Sequence, residues 1–154
     1  MSIDTIAAVR GSERRERIIE VSADRAWQVV GRPELLHHWF PGIVECAVDG
    51  HTRTITTGMG LTMAEDILTN DPLQRRFQYR IATGFFKEHL ASIDVIELGP
   101  ERCLVTYASD ADPAPMAIVL GGAMSGALAE LARQLETSAG PAIDAVDNPM
   151  EAAS

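Results

Sequence analysis

Apolar and polar residues alternate in short runs through the middle of the chain, and turn residues bound each run. This period of two is typical of β-strands in a sheet that is covered on one face. The dipeptides Asp49-Gly50 and Gly99-Pro100 are examples of the turn chemistry between the runs. We therefore expect seven antiparallel strands, at 14–21, 43–48, 51–57, 61–68, 74–82, 89–98 and 102–108.

Two short helices are predicted between the first and second strands. Ser22 can cap a helix over 23–30, and Gly31 closes it. Pro33 suits the first position of a second helix that ends near Phe40.

A long helix is predicted from Pro113 to about Glu136, and at ~1.5 Å per residue it spans roughly 30 Å, enough to cross a small domain. Its first half has no charged residue on any face, so we expect that half to be surrounded by protein. The fold class is therefore α+β, with the sheet wrapped around this helix and a cavity between them. Small side chains leave room for such a cavity at Gly121, Gly122, Ala123, Gly126 and Ala127.

Turn geometry fixes which side chains point inward. The turn centred on Met59 places Ile55 opposite Met63 and Arg53 opposite Glu65. Applied along the strands, this register gives one apolar face and one polar face. The turn at Asp49-Gly50 likewise sends Val44, Cys46 and Val48 inward.

Few polar side chains interrupt the inner face, and polar groups that converge in an apolar shell are typical of a ligand site. The candidates for catalysis are His89, Glu65, Arg53 and Tyr107. The candidate ligand-binding residues are Phe40, Arg53, Ile55, Met63, Glu65, Phe77, Tyr79, Ile81, Phe86, His89, Ala91, Val105, Tyr107, Met116, Leu120, Ala123, Met124 and Ala127.

Two interpretations remain open for the polar candidates. Arg53 and Glu65 either neutralise each other as a structural pair or hold a carboxylate, enolate or hydroxyl. His89 is either a core histidine that bonds Tyr107 or a backbone carbonyl, or a general acid/base.

The length of 154 residues suits one domain with a core of its own. We expect a flexible lead over 1–12, a ligand-binding domain over 13–138, and a weakly ordered extension over 139–154 that follows the Gly140-Pro141 stop signal.

The net charge of −9, from 13 basic and 22 acidic residues, argues against binding to nucleic acid or to an anionic membrane. Membrane insertion is not expected, because the uncharged stretch 114–129 is short and contains glycines. Two cysteines without a CxxC spacing and an N-terminus without a signal-peptide core favour the cytoplasm.

Cofactor and metal motifs are missing from the sequence. It has no P-loop, GxGxxG or nucleophile elbow. His37, His38 and Glu34 lack the spacing of a metal site. We expect no cofactor and no metal, and a small hydrophobic molecule as the partner; no protein partner is indicated.

Several segments, read in order, resemble the START / Bet v 1-like superfamily in its polyketide cyclase/dehydrase and lipid transport branch. They are VSADRAWQVV, HHWFPGIVECAVDG, MAEDILTND, RRFQYRIATG and GGAMSGALAELARQLE, which together extend over roughly residues 16–136. The resemblance implies a helix-grip fold, in which a seven-stranded antiparallel sheet grips the C-terminal helix around a cavity.

The resemblance also assigns positions. Glu65 matches an acidic residue that faces the cavity in plant hormone receptors of the superfamily, and Tyr79 matches an aromatic lining residue. His89 stands where those receptors have a tyrosine, and their gate sequences are missing around Phe85 and Phe86. Hormone sensing is therefore not indicated.

Two functions follow as hypotheses. The first is a carrier or binding protein for a lipid, polyketide or terpenoid. The second is a cyclase/aromatase or dehydratase, in which Arg53 and Glu65 orient a carbonyl while His89 or a tyrosine moves a proton. The second requires His89 and Glu65 to reach one shared space.

Overall fold

The structure of the protein is a computed structural model that describes residues 10–82 and 84–137. Expectations for residues 1–9, 83 and 138–154 lie outside the described residues. These include most of the predicted N-terminal lead and the whole C-terminal extension. Gly11 and Ser12, at the end of that lead, already belong to the first strand.

Seven strands form one sheet, as the alternation predicted: β1 (Gly11–Ile19), β2 (Ile43–Asp49), β3 (Thr52–Thr57), β4 (Thr62–Asp71), β5 (Arg76–Ile81), β6 (Glu88–Gly99) and β7 (Arg102–Asp112). Their order is β1-β7-β6-β5-β4-β3-β2, and every neighbouring pair is antiparallel. The predicted α+β class with a seven-stranded antiparallel sheet is confirmed. β1 and β2 are the two edges.

The chain leaves β1 into two short helical segments. Helix α1 (Ala23–Val30) begins at Ser22, whose hydroxyl accepts a hydrogen bond from the Arg25 backbone N–H, and Gly31 follows its last turn. The second segment begins as a single 3-10 turn at Pro33–Leu35 and continues as helix α2 (Leu36–Trp39). Together they cover one end of the sheet, with Trp39 buried against it.

Helix α3 (Ala114–Thr137) packs along β1 and β7, near one edge of the sheet. It is long and apolar enough to cross a membrane by length and composition, but here one face of it packs on the sheet as a core helix. The expectation that its first half is surrounded was wrong. Ala117 and Met124 face the sheet, whereas Ile118 and Val119 are 67% and 64% exposed, because no described element covers the outer side of the helix.

The register predicted from the turn at Met59 is confirmed, since Ile55 pairs with Met63 and Arg53 with Glu65. Residues that lie opposite one another in an antiparallel pair share a face of the sheet. Arg53 and Glu65 therefore both point to the inner side, and both are buried.

The first hairpin differs in part from the prediction. Cys46 is half-buried, but Val44 and Val48 are exposed. β2 is an edge strand far from α3, and a register shift between Ile43 and Glu45 alters the alternation at Val44. The pattern indicates a face, but it does not indicate whether anything covers that face at the edge of the sheet.

Candidate functional site

A cavity of about 470 Å³ lies between helix α3 and the inner side of β3, β4 and β5. It exists because α3 lies over β1 and β7 and therefore leaves the other half of the sheet uncovered. Its wall is formed by Leu36, Phe40, Pro41, Gly42, Ile43, Ile55, Thr57, Gly58, Met59, Met63, Glu65, Tyr79, Ile81, Val119, Leu120 and Ala123. Most of these side chains are apolar, and Glu65 is the only carboxyl group in this described wall.

Eight of the residues predicted to bind a ligand lie in this wall: Phe40, Ile55, Met63, Glu65, Tyr79, Ile81, Leu120 and Ala123. They belong to β3, β4 and β5, to the segment after α2, and to α3. Strand alternation gave Ile55, Met63, Glu65, Tyr79 and Ile81, and the apolar stripe of α3 gave Leu120, whereas Phe40 and Ala123 came from neither pattern.

The other ten predicted residues lie outside the described wall: Arg53, Phe77, Phe86, His89, Ala91, Val105, Tyr107, Met116, Met124 and Ala127. Most of them are buried and form the core. Val105 and Tyr107 on β7 point inward as predicted, but α3 covers that strand, so their side chains pack against protein rather than space.

Sequence reasoning missed the wall residues that come from turns and loops. Pro41, Gly42, Gly58 and Met59 lie at the open end of the cavity, and Val119 faces them from α3. The period of a strand or helix carries no information about the four turn positions. The other missed wall residues lie within helices or strands: Leu36, Ile43, Thr57 and Val119. The turn glycines were the available signal, because small residues at a strand end leave an opening.

Arg53 and Glu65 form a buried ion pair beside the cavity. The Arg53 Nε donates to Glu65 Oε1 at 2.6 Å, and both side chains are only 2% exposed. Nη1 donates to the Pro33 carbonyl at 3.4 Å, whereas Nη2 makes no hydrogen bond to the described residues. The guanidinium also lies over the Tyr79 ring, with Cζ 4.8 Å from its centroid, which is a favourable cation–π distance.

Burial shapes the electrostatics of this pair. Removal from water raises the pKa of Glu65 above its ordinary value, and the charge of Arg53 offsets that effect only in part. Burial opposes the charge on Arg53 more than any single neighbour favours it, but the attraction and hydrogen bond of Glu65 together with the attraction of Tyr79 and Tyr107 raise the pKa of Arg53. The pair is thus a neutral unit, of which Glu65 belongs to the apolar wall and Arg53 lies outside it.

Two tyrosines continue the polar cluster. The hydroxyl groups of Tyr79 and Tyr107 hydrogen-bond to each other, and burial raises the pKa of Tyr107 and that of Tyr79 well above ordinary tyrosine. Tyr79 belongs to the wall, while Tyr107 lies behind it among the rings of Trp39 and Phe40. Neither hydroxyl is disposed to lose its proton at neutral pH.

His89 is held by hydrogen bonds at both ring nitrogens. Nδ1 accepts from the Ile81 backbone N–H at 2.9 Å, and Nε2 lies 3.1 Å from the Ser109 Oγ. Because Nδ1 accepts, the proton of the neutral ring is on Nε2 and is donated to Ser109. Burial lowers the pKa of His89 to about 4, with Asp110 opposing the shift. Of the two interpretations, the core histidine describes these contacts, although its partners are not the ones proposed from the sequence.

The structure does not bring His89 and Glu65 into one space. Ile81 pairs with Glu65 on one side and bonds His89 on the other, so its side chain stands between them on the inner face. Phe86 also packs on His89, with ring centroids 5.1 Å apart. The proton-transfer arrangement that the enzyme hypothesis requires is therefore not formed.

Comparison with known families places the chain. The sequence model of the family described as polyketide cyclase / dehydrase and lipid transport matches residues 11–136. The chain belongs to this family. The match covers almost the whole described region, and no curated protein matches the chain in sequence.

Solved structures give the same fold for this member of the polyketide cyclase/dehydrase and lipid transport family. An uncharacterised protein from Bacillus thuringiensis is 23% identical, with a TM-score of 0.76 over 81% of this chain and 98% of the other. Norcoclaurine synthase from Thalictrum flavum, solved as a point mutant with a transition-state analogue, is 15% identical, with a TM-score of 0.68 over 86% and 98%.

A START superfamily protein from Mycobacterium smegmatis is 17% identical, with a TM-score of 0.62 over 82% of this chain and 95% of the other. These identities are low, so the likeness shows the fold alone. The polyketide cyclase/dehydrase and lipid transport branch predicted from the motifs is confirmed by the family match. The helix-grip fold that the resemblance implied is confirmed too, and the START superfamily protein and norcoclaurine synthase share it.

Proposed function

We propose that the protein binds a small hydrophobic molecule, such as a lipid, polyketide or terpenoid, in its internal cavity and serves as a carrier or binding protein for it. The cavity itself carries this proposal. Its volume of about 470 Å³ lies within the range of roughly 300–1,000 Å³ typical of small-molecule sites. The nearly apolar wall matches a ligand that is mostly hydrocarbon or aromatic.

Shape supports the proposal as well. Met59 is 98% exposed and Val119 is exposed beside it, so the cavity is open at one end. An apolar molecule that entered there would be removed from water over most of its surface. This removal contributes about 25 cal/mol of favourable binding free energy per Å² of apolar surface buried. The two free cysteines fit the prediction that binding occurs in the cytoplasm.

The cyclase or dehydratase hypothesis has less support from the geometry. It placed proton transfer on His89, which lies outside the described wall with both ring nitrogens bonded. The Tyr79 hydroxyl is bonded to Tyr107 and its pKa is raised, which makes it a poor acid. A carrier needs only the cavity.

Native mass spectrometry of freshly purified protein tests the proposal directly, because a bound ligand adds its mass to the chain. Titration with the apolar fluorophore N-phenyl-1-naphthylamine tests the same cavity. The variant Ala123→Trp places an indole at its wall and is expected to abolish fluorophore binding.

A matched control is Gln28→Trp, which adds the same indole on the exposed side of α1 and outside the described wall. This variant is expected to bind the fluorophore as the wild type does. Equal binding by wild type and Ala123→Trp would contradict the proposal, because the fluorophore would then lie elsewhere.

A further inference from the structure

The cavity has one charged group in its described wall, the carboxyl group of Glu65, and this group lies at the closed end. The wall is exposed at the open end, at Met59, Val119 and Ala123, and sealed at the other, where Ile55 and Glu65 are buried. A molecule inserted from the open end therefore brings its leading group toward Glu65. That carboxyl group determines which leading group the site accepts.

The two oxygens of Glu65 are not equivalent. Oε1 accepts the hydrogen bond from Arg53 Nε at 2.6 Å. Oε2 makes no hydrogen bond to the described residues, and it is not among the fully sealed polar atoms that lack a partner. Because Glu65 belongs to the wall, Oε2 is the oxygen open to the cavity.

We propose that the cavity selects apolar molecules that end in a neutral hydrogen-bond donor, an alcohol or phenol hydroxyl, and that Glu65 Oε2 accepts this hydrogen bond. The inference deepens the proposed function and rests on it. A hydroxyl at the leading end satisfies the carboxylate without adding charge, whereas an ether leaves it unsatisfied.

Charged ends are excluded by the ion pair itself. Arg53 already neutralises Glu65, so a ligand carboxylate or ammonium would be buried without an opposite charge of its own. Arg53 does not offer a carboxylate its guanidinium directly. It lies outside the described wall, bonded to Glu65 and to the Pro33 carbonyl and stacked over Tyr79.

Competition against N-phenyl-1-naphthylamine with the wild-type protein tests the selectivity without any substitution. The competitors are decan-1-ol, methyl nonyl ether, decan-2-one, decanoate and decylammonium, which have similar chains and differ at the end. We expect the alcohol to bind roughly tenfold or more tightly than each of the others, since a hydrogen bond to a charged acceptor is worth that much.

The possible results separate the two proposals. Equal affinity for the alcohol and the ether would overturn the selectivity while leaving the cavity function in place. A ketone that binds as well as the alcohol would overturn it too, because recognition would then come from a donor such as Tyr79. No binding of the fluorophore or of any competitor would overturn both.

A double variant assigns the effect to Glu65. Arg53→Met with Glu65→Leu removes both charges together and leaves no unpaired charge, so it is expected to fold. It should bind the alcohol and the ether with equal affinity, each measured by competition against the variant's own affinity for the fluorophore. A double variant that kept the preference for the alcohol would show that Glu65 is not the acceptor.

Discussion

Protonation of His89 should destabilise the fold, and the shift of its pKa on burial sets the size of the effect. Nδ1 can accept from Ile81 only when it carries no proton, so a charged ring loses this bond and is buried beside an N–H that points at it. The substitution His89→Gln removes the titrating group and keeps a polar side chain that can both donate and accept.

The sign follows from the two pKa values. The pKa of His89 is lowered from 6.5 to about 4 in the folded protein. Its neutral form therefore stabilises the fold fully above the unfolded pKa, and this contribution is lost as the pH falls toward the folded pKa. The full shift corresponds to a free energy of about 3 kcal/mol, of which about 2 kcal/mol is lost between roughly pH 7 and pH 5.

Urea unfolding at these two pH values, followed by tryptophan fluorescence, measures the loss. The wild type should lose about 2 kcal/mol more than His89→Gln does over that interval. His51→Gln is the control, because it makes the same substitution at an exposed histidine outside the core. The reasoning is refuted if wild type and His89→Gln lose the same free energy of unfolding.

Three further predictions concern stability and can be measured by the same urea titrations. Gly126→Ala should raise the free energy of unfolding by about 0.5–1 kcal/mol, because the new Cβ meets nothing within 4 Å and a helical glycine is entropically costly; a loss would mean that the helix is covered there. Tyr107→Phe should cost about 1–3 kcal/mol by leaving the Tyr79 hydroxyl unpaired, and the double variant with Tyr79→Phe should recover most of that cost; additive losses would contradict the pairing. Arg53→Met alone should lower the free energy of unfolding by about 3–5 kcal/mol, because it leaves the Glu65 carboxyl group buried without its partner. A loss below about 1 kcal/mol would show that this carboxyl group is not desolvated.

Local sequence patterns predicted most of the fold, because each of these patterns is compatible with one kind of secondary structure. The period of two and the turn at Asp49-Gly50 placed the strands, and Ser22 with Gly31 placed α1. The register around Met59 followed from turn geometry alone. The errors arose where an apolar pattern indicates that a residue is buried but does not indicate which helix or strand would cover it. Ile118 is an example, because it lies in a stretch without charged residues and is nevertheless exposed.

The candidate site was only half predictable for a related reason. Alternation identifies which residues face inward, but the position of α3 decides whether an inward residue meets protein or space. Val105 and Ile55 have the same signal in the sequence, yet Val105 lies on the strand under the helix and Ile55 lies in the cavity wall. That position depends on packing between distant segments. One contact between distant segments is the close approach of Gly11 on β1 to helix α3. A Cβ at Gly11 would come within 2.6 Å of the Ala114 carbonyl oxygen.

Small residues on α3 illustrate the same separation. They were predicted to leave room for a ligand, and Ala123 does lie in the cavity wall. Gly121 has a different role, because a Cβ there would come within 2.8 Å of the Arg15 guanidinium on β1. Gly122 and Gly126 border open space outside the described wall. The small residues of α3 thus have three different environments: Gly121 packs against β1, Ala123 lies in the cavity wall, and Gly122 and Gly126 are exposed.

The double replacement of Arg53 and Glu65 shows whether the ion pair serves the stability of the fold or the recognition of a ligand. A buried pair contributes little net stability, since desolvation of both charges offsets their attraction. Replacement of Arg53 and Glu65 together by Met and Leu should therefore change the free energy of unfolding by less than about 2 kcal/mol, although either single change is costly. If the double variant is as stable as the wild type but binds alcohols and ethers alike, the pair serves the ligand. If stability collapses in the double variant as in the single ones, the pair serves the fold.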